Sequence, residues 1–176
     1  MNQNSGKFVS QDYFLKPGFI YLPNGLTTIS TALGSSVAVS LYDRSLKLGG
    51  INHFRFPYIE SREKTTALYG NIAVLTLIRM MVAIGSNISD LEAQIFGGAL
   101  NPKYSKRDIG RDNLKTAKQI LTTQKIRIIS EDIGGELGRK IIFNTSTGEI
   151  VTLKVGWLRE SDWYPYSGDR EYYHQH

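Results

Sequence analysis

The sequence predicts a single-domain α+β protein with a layered sheet core, and three observations lead there. The chain has 176 residues, a length suited to one domain with its own core. Hydrophobic residues make up 41% and charged residues 21%, which fits a folded globular chain and excludes a disordered one. Strand-like segments cluster early and late around two helical ones, without the regular βαβ alternation of a doubly wound sheet.

Residues 18–22 read as a short strand closed by Pro23-Asn24-Gly25, a turn signal because glycine accepts positive φ. Residues 37–42 read as a second strand ended by Asp43, and 51–56 as a third ended by Pro57, with the Gly49-Gly50 pair predicting a tight turn between them. The clearest helix is 66–84, beginning after Ser61 and Thr65 and stopping at Gly85. At 100° per residue, Tyr69, Ala73, Val74, Leu77, Ile78, Met81 and Ile84 share one half of it; Ile72, Leu75, Val82 and Ala83 lie on the other, with Arg79 as its only charge. A helix apolar on both sides must be covered on both sides, either by layers of its own fold or by another chain. Residues 93–96 then read as a strand running into Gly97-Gly98. A second helix spans about 111–122, with Asp112 near its start and Ala117, Ile120 and Leu121 toward the core. Strands follow at 125–129 and 139–143, and the Thr145-Ser-Thr-Gly148 turn pairs the latter with 150–155 as a hairpin.

The folded domain is placed at 11–157, with an N-terminal extension at 1–10 and an aromatic-rich tail at 158–176. The tail carries Trp163, Tyr164, Tyr166, Tyr172 and Tyr173, and reads either as folding back over an apolar groove or as a docking segment. Residues 1–10 have no apolar stretch of a signal peptide, and residues 72–84, the most apolar segment, are interrupted by Thr76 and Arg79 and fall short of the roughly 20 residues a spanning helix needs. Membrane insertion is not expected, and a soluble, cytoplasmic protein is.

Cysteine is absent, which removes disulfides, thiolate metal sites and cysteine nucleophiles together. The three histidines stand at 53, 174 and 176, and only His53 falls inside a predicted element. Metal catalysis is a poor expectation on that inventory, and no cofactor motif is present. The segment 27–36 is dense in hydroxyls, with Gly34-Ser35-Ser36 opening directly into the strand at Val37. It reads either as a polar strand and turn, or as a glycine-flanked bend that exposes Ser36 and aims backbone N–H groups at a developing oxyanion. The formal net charge is +5, and residues 101–130 carry eight Lys or Arg against two Asp. That segment is a solvated helix face or an electropositive surface for an acidic partner; nucleic acid is not expected, since no stacking aromatics interleave with the charges.

Several strings in order, Thr31-Ala-Leu-Gly-Ser-Ser-Val-Ala-Val-Ser-Leu-Tyr-Asp43, Gly49-Gly-Ile-Asn-His53, Gln94-Ile-Phe-Gly-Gly-Ala99, Ile109-Gly-Arg-Asp-Asn113 and Glu131-Asp-Ile-Gly-Gly-Glu-Leu-Gly-Arg-Lys140 with Asn144-Thr-Ser-Thr-Gly-Glu149, resemble the chemoreceptor glutamine deamidase family, CheD, from about residue 17 to 156. The resemblance implies a layered sheet sandwich flanked by helices, similar to deamidating toxin domains. It implies a cytoplasmic bacterial chemotaxis protein that hydrolyses glutamine amides of methyl-accepting chemoreceptors to glutamate. It implies a catalytic cysteine after Gly-Ser, a histidine in the Gly-Gly strand and a threonine six residues before the cysteine. Carried over, these fall on Ser36, His53 and Ser30, with Gly34 and Ser35 forming the oxyanion loop.

Serine at position 36 is a departure in kind: a thiol near pKa 8.5 becomes a thiolate beside a histidine, whereas an alcohol loses its proton only during attack. Serine enzymes meet that demand with a base held by a buried carboxylate; Asp43 and Glu60 are the candidates here, and neither stands out. Three histories fit: an introduced serine that silences the site, a natural homologue turned binding module, or a working serine nucleophile. The family pattern also implies a CheC-type phosphatase partner, although Leu100-Asn-Pro102 stands where the family carries an apolar and aromatic pair.

Overall fold

The computed structural model describes residues 11–61, 65–100 and 107–158. Among them, in chain order, are strands β1 (Gln11–Phe14), β2 (Phe19–Tyr21), β3 (Thr27–Leu33), β4 (Val37–Asp43) and β5 (Leu48–Phe54), then helix α1 (Gly70–Ala83). A 3-10 turn at Ile88–Asp90 leads into β6 (Leu91–Gly97), followed by α2 (Ile109–Thr123), β7 (Arg127–Ile133), β8 (Gly138–Asn144) and β9 (Ile150–Val155). The strands make two sheets, one in the order β1-β3-β8-β9 and the other β2-β5-β4-β6-β7.

The five-stranded sheet is the middle layer because its strands are apolar on both faces. β4 is buried along its whole length. Val37, Val39 and Leu41 point to one side and pack with Ala73, Leu77 and Met81 of α1 and Ala117 and Leu121 of α2. Ala38 points to the other side, where Ile29, Leu33, Ile141 and Phe143 of the four-stranded sheet close a second core. Full burial of one such aliphatic side chain is worth about 1.5–3 kcal/mol, so β4 is the strand that fixes all three layers. The expected α+β sandwich with flanking helices is the architecture found.

Most predicted elements are present with shifted ends. Helix α1 starts at Gly70 rather than 66, because Tyr69 is extended and bridges Phe56. It ends at a glycine as expected: Gly85 has φ +106°, and its N–H and that of Ser86 bond back to Val82 and Met81. α1 is an outer layer and does not lie between layers: its Ala73, Val74, Leu77, Ile78 and Met81 stripe is buried on the sheet, while Arg79 and Val82 face away from it. β7 begins two residues late because Lys125 takes a left-handed turn, φ +57°, on leaving α2.

The Gly49-Gly50 turn is corrected. Both glycines lie inside β5, paired with Tyr42 and Leu41, and the reversal is made by residues 44–47, where the Asp43 carboxylate accepts from the N–H of Ser45 and Leu46 and Lys47 has φ +50°. What demands glycine is the packing of layers: a Cβ on Gly49 would stand 2.7 Å from the Phe143 ring, and one on Gly50 2.9 Å from Leu77. The predicted Thr145–Gly148 turn is present, with the Asn144 side chain accepting from the Ser146 and Thr147 N–H groups and Gly148 at φ +76°. The 1–10 extension, the tail from 159 onward with its aromatic residues and His174 and His176, and residues 101–106 lie outside the described residues.

Candidate active site

Three elements meet at one end of the sandwich. β3 delivers Thr31, the bend 34–36 delivers Ser36 as the chain turns into β4, and β5, antiparallel to β4 with Ala38 opposite His53, delivers the imidazole. Strand alternation decides which side chains meet. On β5, Gly49, Ile51 and His53 face the four-stranded sheet; on β3, Ile29, Thr31 and Leu33 face back. His53 is thus fully buried between the sheets.

Its two nitrogens are both engaged. Nδ1 lies 2.9 Å from Thr31 Oγ1 and Nε2 lies 2.8 Å from Ser36 Oγ. The Thr31 hydroxyl donates to the Leu15 carbonyl at 2.7 Å. A hydroxyl has one proton to give, so toward His53 the Thr31 oxygen accepts, and Nδ1 carries the hydrogen. Nε2 is then the bare nitrogen, and the Ser36 hydroxyl donates to it. The chain of bonds from Leu15 through Thr31 selects the tautomer in which the imidazole can accept a proton from Ser36.

Electrostatics keep the ring neutral. Burial pushes His53 from its ordinary 6.5 down to about 3; the Leu15 carbonyl acts against this and the Arg55 guanidinium adds to it. Neither sequence candidate for a carboxylate reaches the ring: Asp43 sits at the opposite end of β4, its carboxylate taken by Ser45 and Leu46, and Glu60 is exposed.

Ser36 and His53 come together as expected, and Ser30 does not join them. Ser30 on β3 pairs with Ile142 of β8, with its side chain on the outer face of the sheet. The hydroxyl on Nδ1 belongs to Thr31, five residues before Ser36, so counting six back lands on the wrong face. Ser36 itself is buried, and Ser35 is exposed.

The bend is held by its carbonyls. Ala99 N–H donates to Gly34 O at 2.8 Å and Gly98 N–H to Ser36 O at 2.9 Å. Gly97, φ +102°, must be glycine here, since a Cβ on it would come within 2.2 Å of the Ser36 carbonyl oxygen. Asn113 of α2, fully buried, donates from its amide to Ser35 O and Arg55 O at 3.0 and 2.9 Å. Sequence reading had no signal for that contact, which joins residues 78 apart. A groove of about 560 Å³ runs past Gly34 and Ser35 between Ile109 and Gly110 on one side and Gly138, Trp157 and Leu158 on the other. Among the described residues, no cluster of His, Asp and Glu has the makings of a metal site.

A hydroxyl hydrogen-bonded to the bare nitrogen of a buried neutral histidine, at a glycine bend in an α+β sandwich, is an arrangement in which an alcohol can pass its proton to a base. The chain belongs to the CheD family. The family model described as CheD chemotactic sensory transduction matches residues 57–154. A protein of Trichlorobacter lovleyi named "Probable chemoreceptor glutamine deamidase CheD" is 37% identical over 86% of this chain and 94% of its own. Similarly named proteins of Sulfurimonas denitrificans and Stenotrophomonas maltophilia are 37% and 33% identical over 73% and 92% of this chain. The family-model match begins beyond His53, but a match over 92% of the chain necessarily spans both Ser36 and His53.

Proposed function

We propose that this chain acts in the cytoplasm on the helical signalling regions of methyl-accepting chemoreceptors, as a glutamine deamidase scaffold with Ser36 as nucleophile and His53 as base. The observation that carries the reading is the 2.8 Å contact between Ser36 Oγ and the unprotonated Nε2 of His53. In the reaction, Ser36 Oγ bonds to the glutamine amide carbon as Nε2 takes its proton, and the N–H groups of the bend hold the oxyanion. The tetrahedral intermediate collapses with cleavage of the C–N bond, and His53 returns the proton to the leaving ammonia. Water, deprotonated by His53, then cleaves the ester to glutamate and restores the Ser36 hydroxyl. Thr31 orients the ring, in place of the Ser30 assignment.

Serine makes the first step slow. The base must become an imidazolium in a site that holds it near pKa 3, with no carboxylate bonded to the ring. That combination favours a second reading, a weakly active or silent module that docks on receptors or on a CheC-type partner. The cationic stripe of Arg111 and Lys115 on α2 suits an acidic helix in either case.

The test is mass-spectrometric conversion of receptor glutamine to glutamate by this protein and by Ser36→Cys. Conversion by Ser36→Cys alone supports the docking reading for the serine chain and the deamidase scaffold beneath it. Comparable conversion by both overturns the argument from serine chemistry. Conversion by neither, with receptor binding lost as well, overturns the proposal.

A further inference from the structure

We infer that Asn113 is the positioning residue of the nucleophile bend, turning the Ser36 N–H away from α2 as the oxyanion donor. The inference rests on the nucleophile assignment above and adds a residue from a different element. A trans peptide is planar, with C=O and the following N–H pointing in opposite directions. The three carbonyls of the bend, at Gly34, Ser35 and Ser36, are drawn inward by Ala99 N–H, the Asn113 amide and Gly98 N–H. The N–H groups of Ser35 and Ser36 are therefore turned the other way. Two of the three inward donors are backbone groups that any sequence would supply; the peptide that carries the Ser36 N–H is the one held by a side chain.

Asn113 is built for that task. Its side chain is fully buried, and the same amide nitrogen also holds Arg55 O, two residues beyond His53. One group thus ties the strand bearing the base to the bend bearing the nucleophile. Both acceptors are carbonyls, so the nitrogen must face them and Oδ1 must face away; that buried oxygen has no hydrogen-bond partner. A group kept for packing alone would not leave a buried acceptor unbonded, because such an atom is destabilising and a leucine of similar volume would remove it. α2 is brought close enough by Gly110, where a Cβ would stand 2.5 Å from Gly98 O.

The experiment separates oxyanion stabilisation from thiol reactivity in full-length Ser36→Cys protein. Acylation by p-nitrophenyl acetate passes through a tetrahedral oxyanion, whereas alkylation by iodoacetamide does not. With Asn113→Ala, acylation is expected to fall by about 100-fold, the loss typical of one oxyanion donor, with alkylation changing less than threefold. Asn113→Asp keeps the shape, places an oxygen where the amide nitrogen stood, and should show the same split. A parallel fall in both reactions, or no fall in acylation, in whichever variant is folded by circular dichroism, overturns the inference. If acylation splits from alkylation but receptor glutamine is never converted, Asn113 keeps its role and the deamidase reading fails.

Discussion

The two ends of β4 bury polar groups to a similar degree and satisfy them in opposite ways. At the Asp43 end the groups are charged: the Asp43 carboxylate accepts from Ser45 and Leu46, and Glu92 is gripped by Arg44 and Arg127. At the Ser36 end the groups are neutral, a relay of Ser36 hydroxyl, imidazole and Thr31 hydroxyl, each giving one hydrogen to the next acceptor and ending at the Leu15 carbonyl. Fixed charge at the first end secures a turn. Its absence at the second leaves a ring whose proton can move.

The largest way to break that contrast is His53→Ala in the Ser36→Cys protein, where loss of the base should cut glutamine conversion by ~10³-fold or more, read by mass spectrometry. Next comes pH. A histidine held near 3 when folded and 6.5 when unfolded binds fewer protons in the native state across that window. Its contribution is therefore complete above pH 6.5 and is lost as pH falls toward 3, amounting to about 5 kcal/mol at the low end. Urea unfolding at pH 7, 5 and 4 should show a slope that His53→Gln flattens. At the other end, desolvation alone would raise Asp43, but hydrogen bonds from Leu46 and Ser45 outweigh it and its pKa is lowered. Asp43→Ala should cost about 2 kcal/mol at pH 7 and less as acid protonates the parent carboxylate, checked by the same titrations. The smallest effect sharpens the register: Thr31→Val should slow conversion by Ser36→Cys about tenfold by freeing the tautomer, whereas Ser30→Ala should stay within twofold.

Elements with strong patterns were legible from sequence. The apolar run of β4 ended by Asp43, the inner stripe of α1 closed by Gly85 and the β8–β9 hairpin turned at Gly148 follow from side-chain pattern and turn residues. β1 was not, because Gln-Asp-Tyr-Phe is a polar edge strand held by parallel pairing to β3 and by the stacking of Tyr13 on Tyr21 at 4.0 Å. Gly49-Gly50 misled because glycine marks both turns and close layers, and only the Phe143 ring across the core tells them apart. Ser36 and His53 were legible through resemblance. Thr31 was missed by a single residue, since strand parity is two and an error of one changes the face. Asn113 closes one of the strings that carry the resemblance, but its contacts were beyond reach, for its partners lie on other elements.

The parallel pairing of β1 with β3 has a practical consequence for anyone trimming the gene. Leu15 follows β1 directly, and its N–H bonds to Ser30 O while its carbonyl ends the proton relay. A fragment cut to the boundaries of the family match would discard that carbonyl together with the strands that carry Ser36 and His53. Even a shorter deletion, through Leu15 alone, would leave Ser36 and His53 in the chain while removing the acceptor that tells the imidazole where to keep its hydrogen. Expression boundaries for this protein are best drawn upstream of Gln11.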